Sequence, residues 1–367
     1  MHILFTGGGT AGHINPALSV ADYIKNEHPE TKISYIGTAD KLESRLVPEK
    51  GYDFYTIDVA GFQRKITFNN IKRNISALVK VLMASSRARK LLKELKPDVV
   101  VGTGGYVCGP VLREASKLGI STVVHESNAI PGVTVKMLAP IVDRVLLSTD
   151  DAKKYLKCKN EPVVTGNPVR LEIALADKAS ARKKLGLDSR PLVLSFGGSL
   201  GARLINEAIS QLILENNGDY YIIHATGRSG YNSTLELLRQ GGYKQNDNVR
   251  LLEYISDMGD YLAAADLVIS RAGAITVSEL QAAGKPSILI PSPYVAENHQ
   301  FFNAMMLKKR GAAEIIEEKD LSGESLKRAV EALVFNDERL KCMADNAKSN
   351  LVVEANERIC KVIFELL

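Results

Sequence analysis

Several signatures that would narrow this 367-residue chain quickly are missing from it. No apolar run approaches the roughly 20 residues needed to cross a bilayer as a helix. No charged segment followed by an apolar core opens the sequence, and residue 2 already begins a strand pattern. The expectation is therefore a cytoplasmic protein without a signal peptide, whose membrane contact, if any, is peripheral. The four cysteines, Cys108, Cys158, Cys342 and Cys360, show no CxxC spacing and have no neighbouring histidines. They read as structural thiols in a reducing compartment, not as a disulfide or a metal site. HExxH and the Walker GxxxxGK[ST] are absent, and no Asp-x-Asp closes a strand. These absences argue against a zinc protease and a P-loop NTPase, and no metal or cofactor is expected. Low-complexity segments and short repeats are also lacking.

What is present is a globular composition, 45% apolar and 24% charged, at a length that favours two domains. Two glycine-rich turns stand one domain apart. HILFTGGGTAGHINPAL covers residues 2–18, and PLVLSFGGSLGARLINEAI covers residues 191–209. Each follows an apolar strand and opens a helix. Glycines allow a sharp turn and close backbone approach, and the unpaired N–H groups of the following helix favour an anion. One such loop is weak evidence. Two, at equivalent places in two strand–helix series, point to paired Rossmann-like halves that bring two phosphate-bearing substrates together.

Short β-branched runs alternate with helical patterns throughout. Expected strands are 2–7, 33–37, 53–57, 99–102, 122–125 and 145–148 in the first half. In the second half they are 192–196, 221–225, 249–252, 267–270 and 287–290. Runs such as DVVVG suit parallel strands covered on both faces. The class is α/β, with a doubly wound sheet in each half. The boundary is placed at the GNPVR turn, giving 1–164, 165–340 and a helical tail 341–367 that can cross back to the first domain.

Ligands of open α/β sheets bind outside the carboxyl ends of the strands. In the first loop, glycines at 7, 9 and 12 fit GxGxxG, but Asp40 lies about 28 residues beyond the last glycine, not near 20, which disfavours a nicotinamide enzyme. His13 follows the loop at a helix start, where an imidazole can act as general base or simply cap the helix. GTGGYVCGP places Gly104, Gly105 and Tyr106 at another strand end, either a second phosphate site or a packing turn. HESN sets Glu126 and Asn128 at the next. Glu126 can orient His13 or accept a proton, and Asn128 can hold a sugar hydroxyl. In the second half Ser199 faces a diphosphate, Glu279 can receive ribose hydroxyls or be an ordinary helix carboxylate, and His299, Gln300 and Asn303 suit sugar hydroxyls.

Residues 64–96 carry ten Lys and Arg against Glu94 alone, with apolar residues at helical spacing and Phe62 and Phe68 just before. This suits an anionic membrane surface; the alternative is a surface helix packed on its own sheet. Nucleic acid is disfavoured, since no aromatic platform accompanies the charge.

GGGTAGHINPA, GGYVCGP, HESN, GNPVR, GGSLGAR, RAGAITVSE and ENHQFFNA occur in this order across nearly the whole chain. Together they resemble glycosyltransferase family 28, the peptidoglycan N-acetylglucosaminyltransferases. The resemblance implies a GT-B fold. It implies inverting, metal-independent transfer of N-acetylglucosamine (GlcNAc) from UDP-GlcNAc to undecaprenyl-pyrophosphoryl-N-acetylmuramyl(MurNAc)-pentapeptide (lipid I), giving lipid II. It further implies work at the cytoplasmic face of the bacterial membrane alongside other cell-wall synthesis proteins.

Matched residue by residue, Thr10, Ala11 and Gly12 lie on the donor-sugar side of the first loop, and His13 is the candidate base. Asn128 and Arg170 match donor contacts, Ser199 a diphosphate contact, and Ile255 the position whose backbone holds uracil. Ala274, Ile275, Thr276, Val277, Ser278 and Glu279 match the ribose and diphosphate helix, with Glu279 on the ribose, and Gln300 matches a sugar-hydroxyl contact. Gly8, Gly9, Gly104, Gly105 and Tyr106 are left for the acceptor diphosphate. His299 and Leu200 stand where relatives often carry glutamine. A UDP-GlcNAc 2-epimerase, a natural-product glycosyltransferase and a non-catalytic UDP-sugar-binding subunit are the competing readings.

Overall fold

The computed structural model describes residues 1–59, 83–198 and 201–367. The chain forms two compact units, one of Met1–Pro168 with Glu354–Leu367 and the other of Val169–Val353.

The first unit holds seven parallel strands: β1 (His2–Thr6), β2 (Lys32–Gly37), β3 (Asp53–Thr56), β4 (Val99–Gly102), β5 (Ser121–Glu126), β6 (Arg144–Leu147) and β7 (Val163–Val164). Their order across the sheet is β3-β2-β1-β4-β5-β6-β7. β1 pairs with β2 on one side and β4 on the other, so the winding reverses at β1/β4. The reversal opens a crevice at the carboxyl ends of those two strands. β1 and β4 are buried along their whole length, the pattern of strands covered by helices on both faces.

Six parallel strands make the second sheet: β8 (Leu192–Phe196), β9 (Tyr221–Ala225), β10 (Val249–Leu252), β11 (Leu267–Ser270), β12 (Ser287–Leu289) and β13 (Ala313–Ile315). Their order is β10-β9-β8-β11-β12-β13, which puts the reversal at β8/β11. The glycine turns of both halves therefore leave from switch strands. β7 and β13 carry no sequence signal, because two residues and the short AEI are too brief for a periodicity to register.

The tail divides between the units. Leu340 and Met343 of helix Asp337–Ala347 are buried in a core of the second unit. Helix Ala355–Phe364 instead buries Ile359, Cys360, Val362 and Ile363 with Ile14, Val20 and Ala21 of helix Ala11–Glu27 in the first. Ser19 Oγ donates to Asn356 Oδ1 at 3.1 Å across that seam.

Only 83–96 of the basic stretch is described; Phe62, Phe68 and 64–82 lie outside the described residues. The described part is a helix whose apolar side, Ala84, Ala88, Leu91 and Leu92, is buried in the core of its own unit. Arg87, Arg89, Lys90 and Lys93 remain exposed. Here Ala84, Ala88, Leu91 and Leu92 serve packing, while Met83 stays 65% exposed along with the charge. No helix among the described residues is long and apolar enough to cross a membrane.

Candidate active site

In the first unit the turns after β1 and β4 lie backbone against backbone. Gly105 has φ +84°, and a Cβ there would stand 2.4 Å from the Gly8 carbonyl oxygen. Gly104, at φ +106°, lies against the His13 ring, and a Cβ would come within 2.6 Å of Nδ1. Both conformation and contact require glycine at these positions.

His13 is half-buried near the start of helix Ala11–Glu27. Its Nδ1 lies 3.1 Å from the Thr103 carbonyl oxygen, and Thr103 Oγ1 donates to the His13 carbonyl at 2.6 Å. A carbonyl can only accept, so Nδ1 carries the proton and Nε2 is the ring's basic nitrogen.

Glu126 does not orient this ring. Its Oε1 accepts from Asn128 N and Nδ2 at 2.8 and 2.9 Å, and its Oε2 accepts from Gly132 N at 2.7 Å. The carboxylate is 3% exposed and braces its own loop, including the Asn128 amide. Burial outweighs these hydrogen bonds and holds its pKa above the usual carboxylate range. Thr103, 90 positions from His13, is the partner that sequence reasoning missed. Tyr106 is 60% exposed beside the paired turns.

The second unit repeats the geometry around β8 and β11. Ser199 and Leu200 lie outside the described residues. Their flanks form a tight turn in which Gly201 N donates to the Gly198 carbonyl at 2.9 Å. Gly201, at φ +82°, rides directly on the end of β9, where a Cβ would stand 2.0 Å from the Thr226 carbonyl oxygen. Asn206 holds that carbonyl from the other side, its Nδ2 donating at 3.0 Å. It is a supporting residue that sequence reasoning passed over.

Gly273 caps the amino end of helix Ala274–Ala283. Val277 N already donates to the Gly273 carbonyl, so the N–H groups of Ala274, Ile275 and Thr276 form the open first turn. Val277 joins a core of the unit, and Ile275 is buried. A ligand would meet the backbone there, not those side chains. Ser278 Oγ bonds back to the Ala274 carbonyl at 3.1 Å.

Glu279 is nearly buried, and Arg170 holds it through Nη2 at 3.0 Å and Nε at 3.3 Å to Oε1. Burial outweighs the guanidinium and raises the Glu279 pKa. Ile255 is buried in the core. Gln300 Oε1 accepts from Ser292 N at 2.8 Å, leaving its amide nitrogen as the outward donor. Glu297 and Asn298, just before it, both hold positive φ, 53° and 51°. Non-glycine residues rarely adopt this strained backbone.

The helices Ala11–Glu27, Arg203–Glu215 and Ala274–Ala283 begin at these strand ends with no side-chain cap and no acidic residue in the first turn. Uncapped starts occur at other helices too, among them Cys108–Lys117 and Tyr231–Gln240. What the first three share is their place after switch strands, where an anion would bind in an open α/β sheet. Among the described residues no three His, Cys, Asp or Glu side chains come together to hold a metal ion.

One histidine in each unit is locked in the neutral form. His125 Nε2 donates to the Gly166 carbonyl at 3.0 Å, and His224 sits between the Ser195 carbonyl and Asn206. Burial lowers both pKa values to about 4. The unfolded chain takes up these protons below its usual value near 6.5, whereas the fold resists until about pH 4. Stability should therefore be fully present above about pH 6.5 and fall through the window to pH 4, by about 3 kcal/mol per histidine. Urea midpoints measured from pH 7 to 4 check this, and His125→Gln should flatten part of the slope.

Two Rossmann-like units, each with an open helix start at its switch point, are the architecture of the GT-B class. Residues 3–147 match the glycosyltransferase family 28 N-terminal domain and residues 192–359 the family 28 C-terminal domain; the chain belongs to this family. It is 47% identical to a UDP-N-acetylglucosamine–N-acetylmuramyl-(pentapeptide) pyrophosphoryl-undecaprenol N-acetylglucosamine transferase of Acetivibrio thermocellus, over 100% of this chain and 98% of that one. Acinetobacter baumannii MurG superposes with a TM-score of 0.76 at 29% identity, covering 99% of each chain. A putative UDP-N-acetylglucosamine 2-epimerase from Listeria monocytogenes has a TM-score of 0.71, covering 100% of this chain and 97% of that one, but only 15% identity. That last likeness is one of fold alone.

Proposed function

We infer that this enzyme transfers GlcNAc from UDP-GlcNAc to the C4 hydroxyl of MurNAc in lipid I, giving lipid II for peptidoglycan synthesis. The observation that carries this reading is the end-to-end relation to a transferase named for that donor and acceptor, at 47% identity. In this reading the first unit takes lipid I and the second takes UDP-GlcNAc.

Chemically, the C4 hydroxyl attacks the anomeric carbon from the face opposite the diphosphate, inverting that centre. The C–O bond to UDP breaks, and UDP leaves with the electron pair. The hydroxyl proton passes to His13 Nε2, the ring nitrogen that the Nδ1–Thr103 contact makes the unprotonated one. Charge developing on the diphosphate is met by the open first turn at Ala274–Thr276 and by Ser199. No metal is required for that compensation. Glu279 would receive ribose hydroxyls while sharing Arg170, and Gln300 and Asn128 would bind sugar hydroxyls. The paired turns at Gly8–Gly9 and Gly104–Tyr106 would lie along the acceptor diphosphate. The exposed charge of 87–93 would face anionic lipid at the cytoplasmic membrane surface, as a peripheral contact.

The test is transfer of radiolabelled UDP-GlcNAc to a short-chain lipid I analogue with EDTA present. Label in a disaccharide-lipid product is expected. UDP-GlcNAc binding without transfer, or its epimerisation without acceptor, would overturn the reading.

A further inference from the structure

Glu43 is a carboxylate with no solvent exposure, and nothing in the reaction described so far uses it. It begins the short helix Glu43–Glu49 beyond β2. Its Oε1 accepts from Thr38 N at 3.1 Å and Thr38 Oγ1 at 2.7 Å, which moors it to the end of β2. Its Oε2 accepts from Gly9 N at 3.1 Å. A Cβ on Gly8 would stand 2.3 Å from Oε1, and one on Gly37 would stand 2.6 Å from Cγ. Two glycines thus clear the space that this side chain fills.

The contacts form a stack. Glu43 lies on one side of the Gly8–Gly9 backbone, and Gly105 presses on the Gly8 carbonyl from the other. Thr10, next in the chain, opens the helix that carries His13. Gly9 N is spent on Glu43, so the donors left to an anion at this turn are those of the open helix start. A carboxylate this close to an anion-binding turn repels the ligand charge, and its full set of hydrogen bonds favours a structural part over ligand contact.

We propose that Glu43 is a positioning residue for the acceptor half of the reaction: it fixes the Gly8–Gly9 turn and, through it, the helix start at His13. This rests on the reading that the first unit takes the lipid-linked acceptor. Loss of Glu43 should therefore act on the acceptor and on turnover and leave the donor alone.

The experiment measures kcat and both KM values for wild type, Glu43→Gln, Glu43→Ala, Gly8→Ala and the double variant Gly8→Ala/Glu43→Ala, using UDP-GlcNAc and a short-chain lipid I analogue. Glu43→Gln places an NH2 where one N–H must be accepted. It should raise the acceptor KM or lower kcat by roughly 10-fold, with donor KM within about twofold of wild type. Gly8→Ala should be worse than Glu43→Ala, because its methyl runs into the carboxylate. The double variant should recover toward Glu43→Ala, since the truncation makes room. Wild-type acceptor kinetics in both Glu43 variants would overturn the proposal. So would equal rises in the two KM values, or multiplicative losses in the double variant. Absence of transfer by the wild type would instead defeat the reading of function beneath it.

Discussion

His13→Ala should lower kcat by about 10²- to 10⁴-fold at saturating substrates, while UDP-GlcNAc still binds. A sugar hydroxyl is a poor nucleophile until its proton has somewhere to go, and an imidazole in a fixed tautomer can take it at neutral pH. The ring is fixed on three counts. Thr103 O sits 3.1 Å from Nδ1, the Thr103 hydroxyl grips the His13 carbonyl at 2.6 Å, and the Gly104 backbone packs against the ring where a Cβ would stand 2.6 Å from Nδ1. Because the Thr103 contact is made by a carbonyl, no Thr103 substitution that keeps the backbone in place should abolish it. His13→Gln should restore a polar side chain without restoring the rate. Single-turnover kinetics with bound donor are the clean measurement, since they separate the chemical step from product release. Turnover within about threefold of wild type would place the base elsewhere.

Gly201→Ala should cost the second unit about 2–4 kcal/mol and weaken UDP binding by 10-fold or more. Two penalties combine. At φ +82° any β-carbon strains the backbone, and here it would also stand 2.0 Å from the Thr226 carbonyl oxygen. The turn cannot yield by pushing Thr226 aside, because Asn206 and the pairing of β9 hold that strand end. Relief must come from the Gly201 side, and under the proposed function that displaces the backbone next to the diphosphate. Denaturant unfolding and calorimetric titration with UDP read the two effects separately. By contrast, a Cβ at Gly198 would meet nothing within 4 Å, although its φ of +95° also disfavours a side chain. Gly198→Ala should therefore be the milder of the pair, and similar losses at both positions would show that the Thr226 contact is not decisive.

How far the sequence reveals this molecule depends on how local each signal is. The strand runs HILFT, VVVG, LVLSF and LVIS are contiguous and apolar, and they mark the buried parallel strands almost to the residue. Glycine clusters after strands are equally local, so both switch points could be located before any coordinates. Partnerships are another matter. Thr103 is 90 positions from His13, and Glu43 is 34 from Gly9. Neither spacing is periodic, and the residue types alone suggest nothing. Glu126 misleads for the opposite reason: a carboxylate at a strand end looks available, yet the NAIPG segment behind it folds back and takes both oxygens. Within Ala274–Glu279 the order of residues does not say which side chains are covered; Ile275, Val277, Ser278 and Glu279 are buried, and Ala274 and Thr276 are not.

The split of the first unit between Met1–Pro168 and Glu354–Leu367 also bears on how the protein is made. Helix Ala11–Glu27 leaves the ribosome before the whole second unit, and the helix that covers part of it leaves after that unit. At about 5–20 residues per second, synthesis of the intervening second unit takes roughly 10–40 s. Through that interval the apolar side of the early helix waits without its cover, and the second unit, whose residues are contiguous, can complete its core first. The unit whose strands are made first is thus the later one to be finished, and a product stalled before residue 354 would expose an oily seam beside the helix that bears His13.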